Sequence, residues 1–363
     1  MPIGGVVAYR GFVSPSGVGY DIACGNMAVE TNLLAAGLSA AERERLADEI
    51  QRRISFGVGR KNSEPIDSPV FERIAQSPVP WQRRMLQTAR GQLGTVGSGN
   101  HYVDVLEDET GQVWVGVHFG SRGFGHKTAT GFMNIAQGRT FDEGKSGGDM
   151  DAAPLLLDIH QQSGQDYIEA MQIAGEFAYA GREAVVAKTL DILGADARFS
   201  VHNHHNFAWR ERHDGEDFWV VRKGATPARP GQWGFVGGSM GDMSVILRGV
   251  ESEESAASLY STVHGAGRVM SRTQAAGKQK WTRRQRSPVE RLSHGLVDFE
   301  SEKARLAERG IVLRGAGADE APPVYRQLQS VLDAHAGTIE VVHTLQPLIV
   351  VMAGGDEFDP YKD

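Results

Sequence analysis

Cys24 is the one cysteine among 363 residues, and it sits in Tyr20-Asp21-Ile22-Ala23-Cys24-Gly25. A lone thiol cannot close an intrachain disulfide; it serves as a small buried hydrophobe, a nucleophile or a metal ligand. Asp21, three residues earlier, and four histidine-bearing segments downstream favour the metal. Those segments are Gly97-Ser98-Gly99-Asn100-His101, His118-Phe119-Gly120-Ser121-Arg122-Gly123, His202-Asn203-His204-His205-Asn206 and His264-Gly265-Ala266-Gly267-Arg268. Together they offer the mixed oxygen, sulfur and nitrogen donors that divalent transition metals accept. Neutral imidazole binds Mn, Zn or Fe, and a thiolate can bridge two ions. Two ions a few ångströms apart suit phosphoryl transfer, because they clamp the attacking and leaving oxygens.

Each signal also has a plainer reading. Cys24 taken alone is more often a buried apolar residue than a ligand. In His202-Asn203-His204-His205-Asn206, strand alternation sends neighbours to opposite faces, so only some of the three imidazoles can share a pocket. His126, His160, His213, His294, His335 and His343 lack supporting context and are read as structural. The turn Gly237-Gly238-Ser239-Met240-Gly241 would let backbone N–H groups approach a phosphate or base. The tract Arg268, Arg272, Lys278, Lys280, Arg283, Arg284, Arg286 and Arg291 contains only Glu290 as an acid. Its place directly after His264-Gly265-Ala266-Gly267-Arg268 favours a binding role over a solvated face.

The elements that must position these residues are legible in outline. Residues 3–34 alternate short apolar runs with Gly, Ser and Pro turns, as β structure does. Residues 39–54 open on a capping pattern and continue as an amphipathic helix. Residues 66–92 read as helical pieces broken by prolines. Strands are expected at 100–106, 113–119, 198–208, 217–222, 243–248 and 347–352. Helices are expected at 154–192, 252–263, around 268–276 and at 322–335, and a polar Gly-rich loop at 138–153. Motifs spread over nearly the whole chain, with no repeat or linker between them. They predict an α+β fold, one large interwoven domain spanning 1–363, with mixed sheets around a central cleft.

Composition agrees with a globular protein: 40% hydrophobic and 23% charged residues. The 45 glycines, about 12% of the chain against a usual ~7%, come in clusters rather than a repeat, which excludes collagen and low complexity. A formal charge of −7 argues against wholesale nucleic-acid coating but leaves room for a local basic channel. One cysteine, no signal peptide and no apolar run of membrane-spanning length predict a soluble cytoplasmic protein. The opening Met1-Pro2-Ile3-Gly4-Gly5-Val6-Val7-Ala8-Tyr9 reads as the middle of a packed element.

The ordered set of segments resembles the RtcB-type RNA ligase family. The matching stretches are Gly17–Gly25, Gly94–His101, His118–Gly123, His205-Asn206, Arg222–Thr226, Gly238–Gly241 and His264–Arg268. The resemblance implies a GTP- and Mn²⁺-dependent ligase that joins RNA 2′,3′-cyclic phosphate or 3′-phosphate ends to 5′-hydroxyl ends. It places ligands for two Mn²⁺ ions on Asp21, Cys24, His101, His118 and His205, with Cys24 bridging. It makes His264 the residue that carries GMP covalently. It assigns GTP contacts to Asn100, Asp104, Asn206, Ser239, Met240, Ala266, Gly267 and Tyr325. Arg122, Arg268 and Arg272 become candidates for holding RNA phosphates, and an activating protein partner is left open.

The chain departs from the family pattern at three places. It begins at the Pro-Ile-Gly-Gly segment, without the family's preceding acidic, histidine-containing motif. Asp104 stands where a pocket glutamate is expected. The strand Val350-Val351-Met352-Ala353-Gly354-Gly355 runs into Asp356-Glu357-Phe358-Asp359 instead of ending in a lysine. These departures keep two other readings open: a metal-dependent phosphoesterase or cyclic-phosphate opener that does not ligate, and a non-catalytic RNA-end-binding paralogue.

Overall fold

The computed structural model describes residues 3–144, 153–282, 285–355 and 357; side chains of 279–291 lie outside that description. The fold is α+β, and an eight-stranded sheet carries the site. In spatial order its strands are Trp233–Val236, Ser244–Gly249, Ile339–Gly354, Tyr102–Glu107, Gln112–Phe119, Gly25–Leu34 and Ala197–His204. These neighbours are antiparallel, and Val312–Ala316 adds a parallel strand beside Ile339–Gly354, so the sheet is mixed. Its two edges nearly close on each other. Asn203 on one edge strand accepts from the Phe235 N–H on the other at 3.2 Å, and Asn26 donates to the Phe235 carbonyl at 2.8 Å.

Gln112–Phe119 is buried at every position, which explains why its sequence is a near-continuous apolar run rather than an alternation. The helix Gln162–Leu193 covers one face and presents Tyr167, Ala170, Ala174, Phe177 and Ala178 to the largest apolar cluster. Helix Ala40–Arg53 packs Leu46, Ala47 and Ile50 into a second cluster; Ser39 caps it by accepting from the Glu42 N–H. Among the described residues no helix is long and apolar enough to cross a membrane.

Several elements differ from their sequence expectations, each for a local reason. A four-residue helix, Pro15–Val18, interrupts the early β region, with Ser14 as its cap and proline at its first turn. Helix Arg122–Ala136 was not foreseen, because glycine and polar residues dilute its pattern. The long helix starts at Gln162, since Leu157–Asp158 pairs with Phe12–Val13 instead. The expected helix 252–263 stops at Ala257: Leu259 and Tyr260 take positive φ and turn the chain into the strand Ser261–Val263. Residues 322–335 divide into Pro322–Val324 and Leu328–Asp333, because Tyr325 is extended and bridges to Arg268. The last strand runs from Ile339 to Gly354. Half of the expected loop at 138–153, residues 145–152, lies outside the described residues, as do Met1-Pro2, the side chains of Lys280 to Arg291 and most of the acidic tail.

Candidate metal centre and adjoining cavity

Sheet register gathers the donors. Cys24 immediately precedes the strand Gly25–Leu34, His101 precedes Tyr102–Glu107, His118 is the penultimate residue of Gln112–Phe119, and His205 follows Ala197–His204. Gly25 pairs with both Phe119 and His204, and Tyr102 pairs with His118. Adjacent strands lie about 4.8 Å apart, so four neighbouring strands deliver their donors in a row at one end of the sheet. The bend between His204 and Asn206 breaks the alternation. It turns His205 toward Cys24 while His202 and His204 face the long helix, where both bond Arg182.

Two donor triads result, and Cys24 belongs to both. Cys24, His118 and His205 offer ligand atoms within 4.8 Å of one another, and so do Asp21, Cys24 and His101. Cys24 Sγ lies 3.2 Å from His118 Nε2 and 3.7 Å from His101 Nε2, which is 3.2 Å from Asp21 Oδ2. His118 Nδ1 donates to the Asn100 carbonyl at 3.0 Å, which leaves Nε2 as the free lone pair facing the sulfur. Two glycines make room. A Cβ at Gly97 would strike His101 Nδ1, and one at Gly120 would strike Asp21 Oδ1.

The donor set has the chemistry to hold a metal ion. Among the described residues, the buried His101 Nδ1 and His205 Nδ1 have no hydrogen-bond partner. A thiolate shared by two triads matches the chemistry of a bridging ligand. Burial and the neighbouring Asp21 carboxylate push the Cys24 thiol up, so a metal bound there would displace its proton. Burial, with the nearby His101 and His264 charges, brings His118 down to about 3, which keeps its ring neutral as a ligand must be.

A cavity of about 910 Å³ opens beside the centre. His118 and His264 share its wall, and the His264 ring centroid lies 5.0 Å from that of His205. Burial lowers His264 to about 4, opposed by its hydrogen bond to the Gly224 backbone. Asn100, Asp104, Ser239, Met240, Ala266, Gly267, Arg268, Arg272 and Tyr325 line the same cavity. Asn206 is not in that lining. Its side chain donates to the Asp21 carbonyl at 3.2 Å and accepts from the Gly224 N–H at 2.7 Å, tying the donor loop to the His264 side.

The three arginines are already engaged. Arg122 donates to the Gly57 carbonyl at 3.1 Å and to Thr95 Oγ1 at 3.3 Å. Arg268 pairs with Glu320 at 3.3 Å and donates to the Tyr325 hydroxyl at 3.2 Å; Arg272 pairs with Glu320 at 3.2 Å. Glu320 had no place in the sequence reading. Its signal would have been an acid pair, Asp319-Glu320, just ahead of Pro322-Pro323 and Tyr325. Tyr102 and Arg182 were missed as well. The Tyr102 hydroxyl and Asp104 Oδ1 are buried on the cavity side without a partner among the described residues.

The family model described as tRNA-splicing ligase RtcB matches residues 1–87 and 75–353. The chain belongs to the RtcB family. It is 32% identical to the RNA-splicing ligase RtcB1 of Escherichia coli, over 96% of this chain and 86% of that protein. It is 30% identical to the tRNA-splicing ligase RtcB of Pyrobaculum aerophilum, over 97% of this chain and 84% of that one. The RtcB proteins of Thermococcus kodakarensis and this chain share 29% identity over 96% of its length. The RtcB match spans the Cys24 loop, all four histidine-bearing segments and Tyr325, so every element of the centre falls within it.

Proposed function

We propose that this RtcB-family protein is an RNA ligase that consumes GTP, forms a covalent His264–GMP adduct and joins 3′-phosphate or 2′,3′-cyclic phosphate ends to 5′-hydroxyl ends. Family membership supports the ligase class. The observation that carries the finer reading is the sharing of Cys24 by two donor triads, with the His264 ring beside them on the wall of a nucleotide-sized cavity.

His264 is suited to nucleophilic attack. The ring nitrogen bonded to the Gly224 backbone serves as donor, which leaves the other nitrogen with its lone pair. That nitrogen attacks the α-phosphorus of GTP; the P–N bond forms, the bond to the bridging oxygen breaks and pyrophosphate leaves. Asn100, Asp104, Ser239, Met240, Ala266, Gly267 and Tyr325 hold the guanosine, while Asn206 fixes the Gly224 segment behind His264. GMP then passes to the RNA 3′-phosphate, and the 5′-hydroxyl displaces it to seal the strand. Asp21, Cys24, His101, His118 and His205 would hold two divalent ions, with Mn²⁺ as the expected species, and these would supply charge neutralisation on phosphoryl oxygens. Arg122, Arg268 and Arg272 are assigned to RNA phosphates, and the Arg268 and Arg272 charges are tempered by Glu320.

The test is incubation with α-labelled GTP and Mn²⁺ followed by denaturing electrophoresis. An acid-labile label on the protein, lost in His264→Ala, is the expected result; a protein that stays unlabelled while retaining its metal overturns the covalent step.

A second reading rests on Asp104 and on Asp356, which directly follows Val350–Gly355 where the family resemblance leads one to expect a lysine: metal-dependent opening of cyclic phosphates without ligation. Release of 3′- or 2′-phosphate ends without GTP, and without joined product, would select it.

A further inference from the structure

Arg182 is fully buried in the middle of the long helix Gln162–Leu193, on the face that also carries Ala174, Ala178 and Val185. No described carboxylate bonds it. Its guanidinium instead makes four hydrogen bonds. Nη1 donates to the Ala23 carbonyl at 3.0 Å and to the Phe119 carbonyl at 2.6 Å. Nη2 lies 2.9 Å from His204 Nδ1, and Nε donates to His202 Nε2 at 2.8 Å. Tyr179, one turn earlier on the same helix, puts its ring beside the guanidinium at 5.2 Å.

Three of those contacts share one relationship. Ala23 precedes Cys24, Phe119 follows His118, and His204 precedes His205. One planar cation therefore grips each of three separate chain segments a single residue from the donors of the Cys24/His118/His205 triad. The segment at Ala23 needs such a grip. Ala23 has φ of 60°, a left-handed conformation that costs a non-glycine residue free energy unless its surroundings fix it. Its N–H donates to the Asn206 carbonyl at 2.7 Å, and Arg182 holds its carbonyl from the other side. The four hydrogen bonds of Arg182 include neither Asp21 nor His101, the donors particular to the second triad, although the Asp21 charge acts on the guanidinium.

We propose that Arg182 is a positioning residue for the Cys24/His118/His205 half of the metal centre, setting the spacing of its three donors through Ala23, Phe119 and His204. The proposal rests on the metal reading given under Proposed function. A guanidinium burial without a carboxylate is expensive, and general stabilisation of the fold would be served better by an apolar side chain. Lysine cannot replace it, because an ammonium is a point donor and cannot span three segments with a fixed fork.

The test is stepwise Co²⁺ titration of the whole metal-free protein, followed by the sulfur-to-cobalt charge-transfer band and by calorimetry. The variants are Arg182→Lys and, as a control, Arg222→Lys. Arg222 is equally buried but bonds Glu211, Ser261 and Leu259, none of which adjoins a proposed metal donor in sequence. The wild type should take up two ions. Arg182→Lys should weaken one of the two by on the order of 10- to 100-fold, the range for groups that orient metal ligands, and leave the other within a few-fold. Arg222→Lys should lower thermal stability and leave both affinities unchanged. If Arg182→Lys is not recovered folded, His204→Phe takes its place; it keeps the ring and deletes one acceptor, and should weaken the same ion by a smaller factor. Unchanged affinities in the Arg182 or His204 variant, or equal loss at both ions, overturn the positioning role. Failure of the wild type to bind two ions overturns the metal reading itself, and this proposal with it.

Discussion

The His264 ring stands 5.0 Å from the His205 ring, centroid to centroid, with the planes at 63°. The proposed nucleophile thus adjoins the proposed ligand set without belonging to either donor triad. Removing His264 should therefore separate chemistry from metal binding. His264→Ala is expected to keep two-ion occupancy with affinities within a few-fold of wild type and to form no GMP adduct. Ligation should fall by roughly 10⁴-fold or more, the scale seen when an essential nucleophile is deleted. Metal titration beside adduct labelling checks both halves. Loss of an ion in this variant would make His264 a ligand.

Cys24 should behave in the opposite way. Its sulfur is the single atom common to both triads, so Cys24→Ala removes a ligand from each site at once. The expected outcome is loss of both ions together, with guanylation lost in parallel. His101→Ala should mainly affect the Asp21 side. Metal stoichiometry by elemental analysis after gel filtration distinguishes the two patterns. Retention of one tight ion in Cys24→Ala would exclude the bridging role.

The pH dependence follows from the direction of the His264 shift. Burial lowers its folded value to about 4, against ~6.5 in an unfolded chain. Between those values the unfolded chain binds more protons. Stability from this group is therefore fully present above about 6.5 and is lost as pH falls toward 4. Thermal melts of the metal-free protein should show wild type losing stability across that window faster than His264→Gln. Single-turnover guanylation at saturating metal should show no acid limb near 6.5 that depends on His264, because its ring is already neutral there.

Much of this was legible in the residues, and the reasons for the remainder are physical. Cys24, His101, His118 and His205 announce themselves because donors beside glycines at strand ends are few in any sequence. The strand Gln112–Phe119 reads correctly because a strand buried on both faces is a continuous apolar run. Register is a different matter. Nothing local reveals that Gly25 pairs with both Phe119 and His204, and that pairing is what assembles the centre. Arg182 was hidden for the same reason: in sequence it is one cation in a helix rich in alanine and glutamate, and its partners are distant backbone carbonyls. The direction of His205 depended on a bend that strand alternation cannot anticipate.

Asp104 offers a prediction in which stability and binding change in opposite senses. Burial raises its carboxyl well above the usual range, and Oδ1 faces the cavity without a partner among the described residues. The folded protein therefore holds a proton that the unfolded chain releases near 3.8, so stability falls as pH rises from there through the raised folded value. Asp104→Asn cannot ionise and escapes that loss. Its melting temperature in the nucleotide-free protein should match wild type near pH 4 and exceed it increasingly toward pH 8. If the carboxyl contacts the guanine base, the same substitution removes a hydrogen bond worth about 1–2 kcal/mol, and GTP should bind roughly 5- to 30-fold more weakly. Thermal melts across pH, beside GTP titration by calorimetry, measure both effects. A variant that is stabilised but binds GTP as well as wild type would place the base away from Asp104 and leave Asn100, Ser239 and Tyr325 to hold the nucleotide.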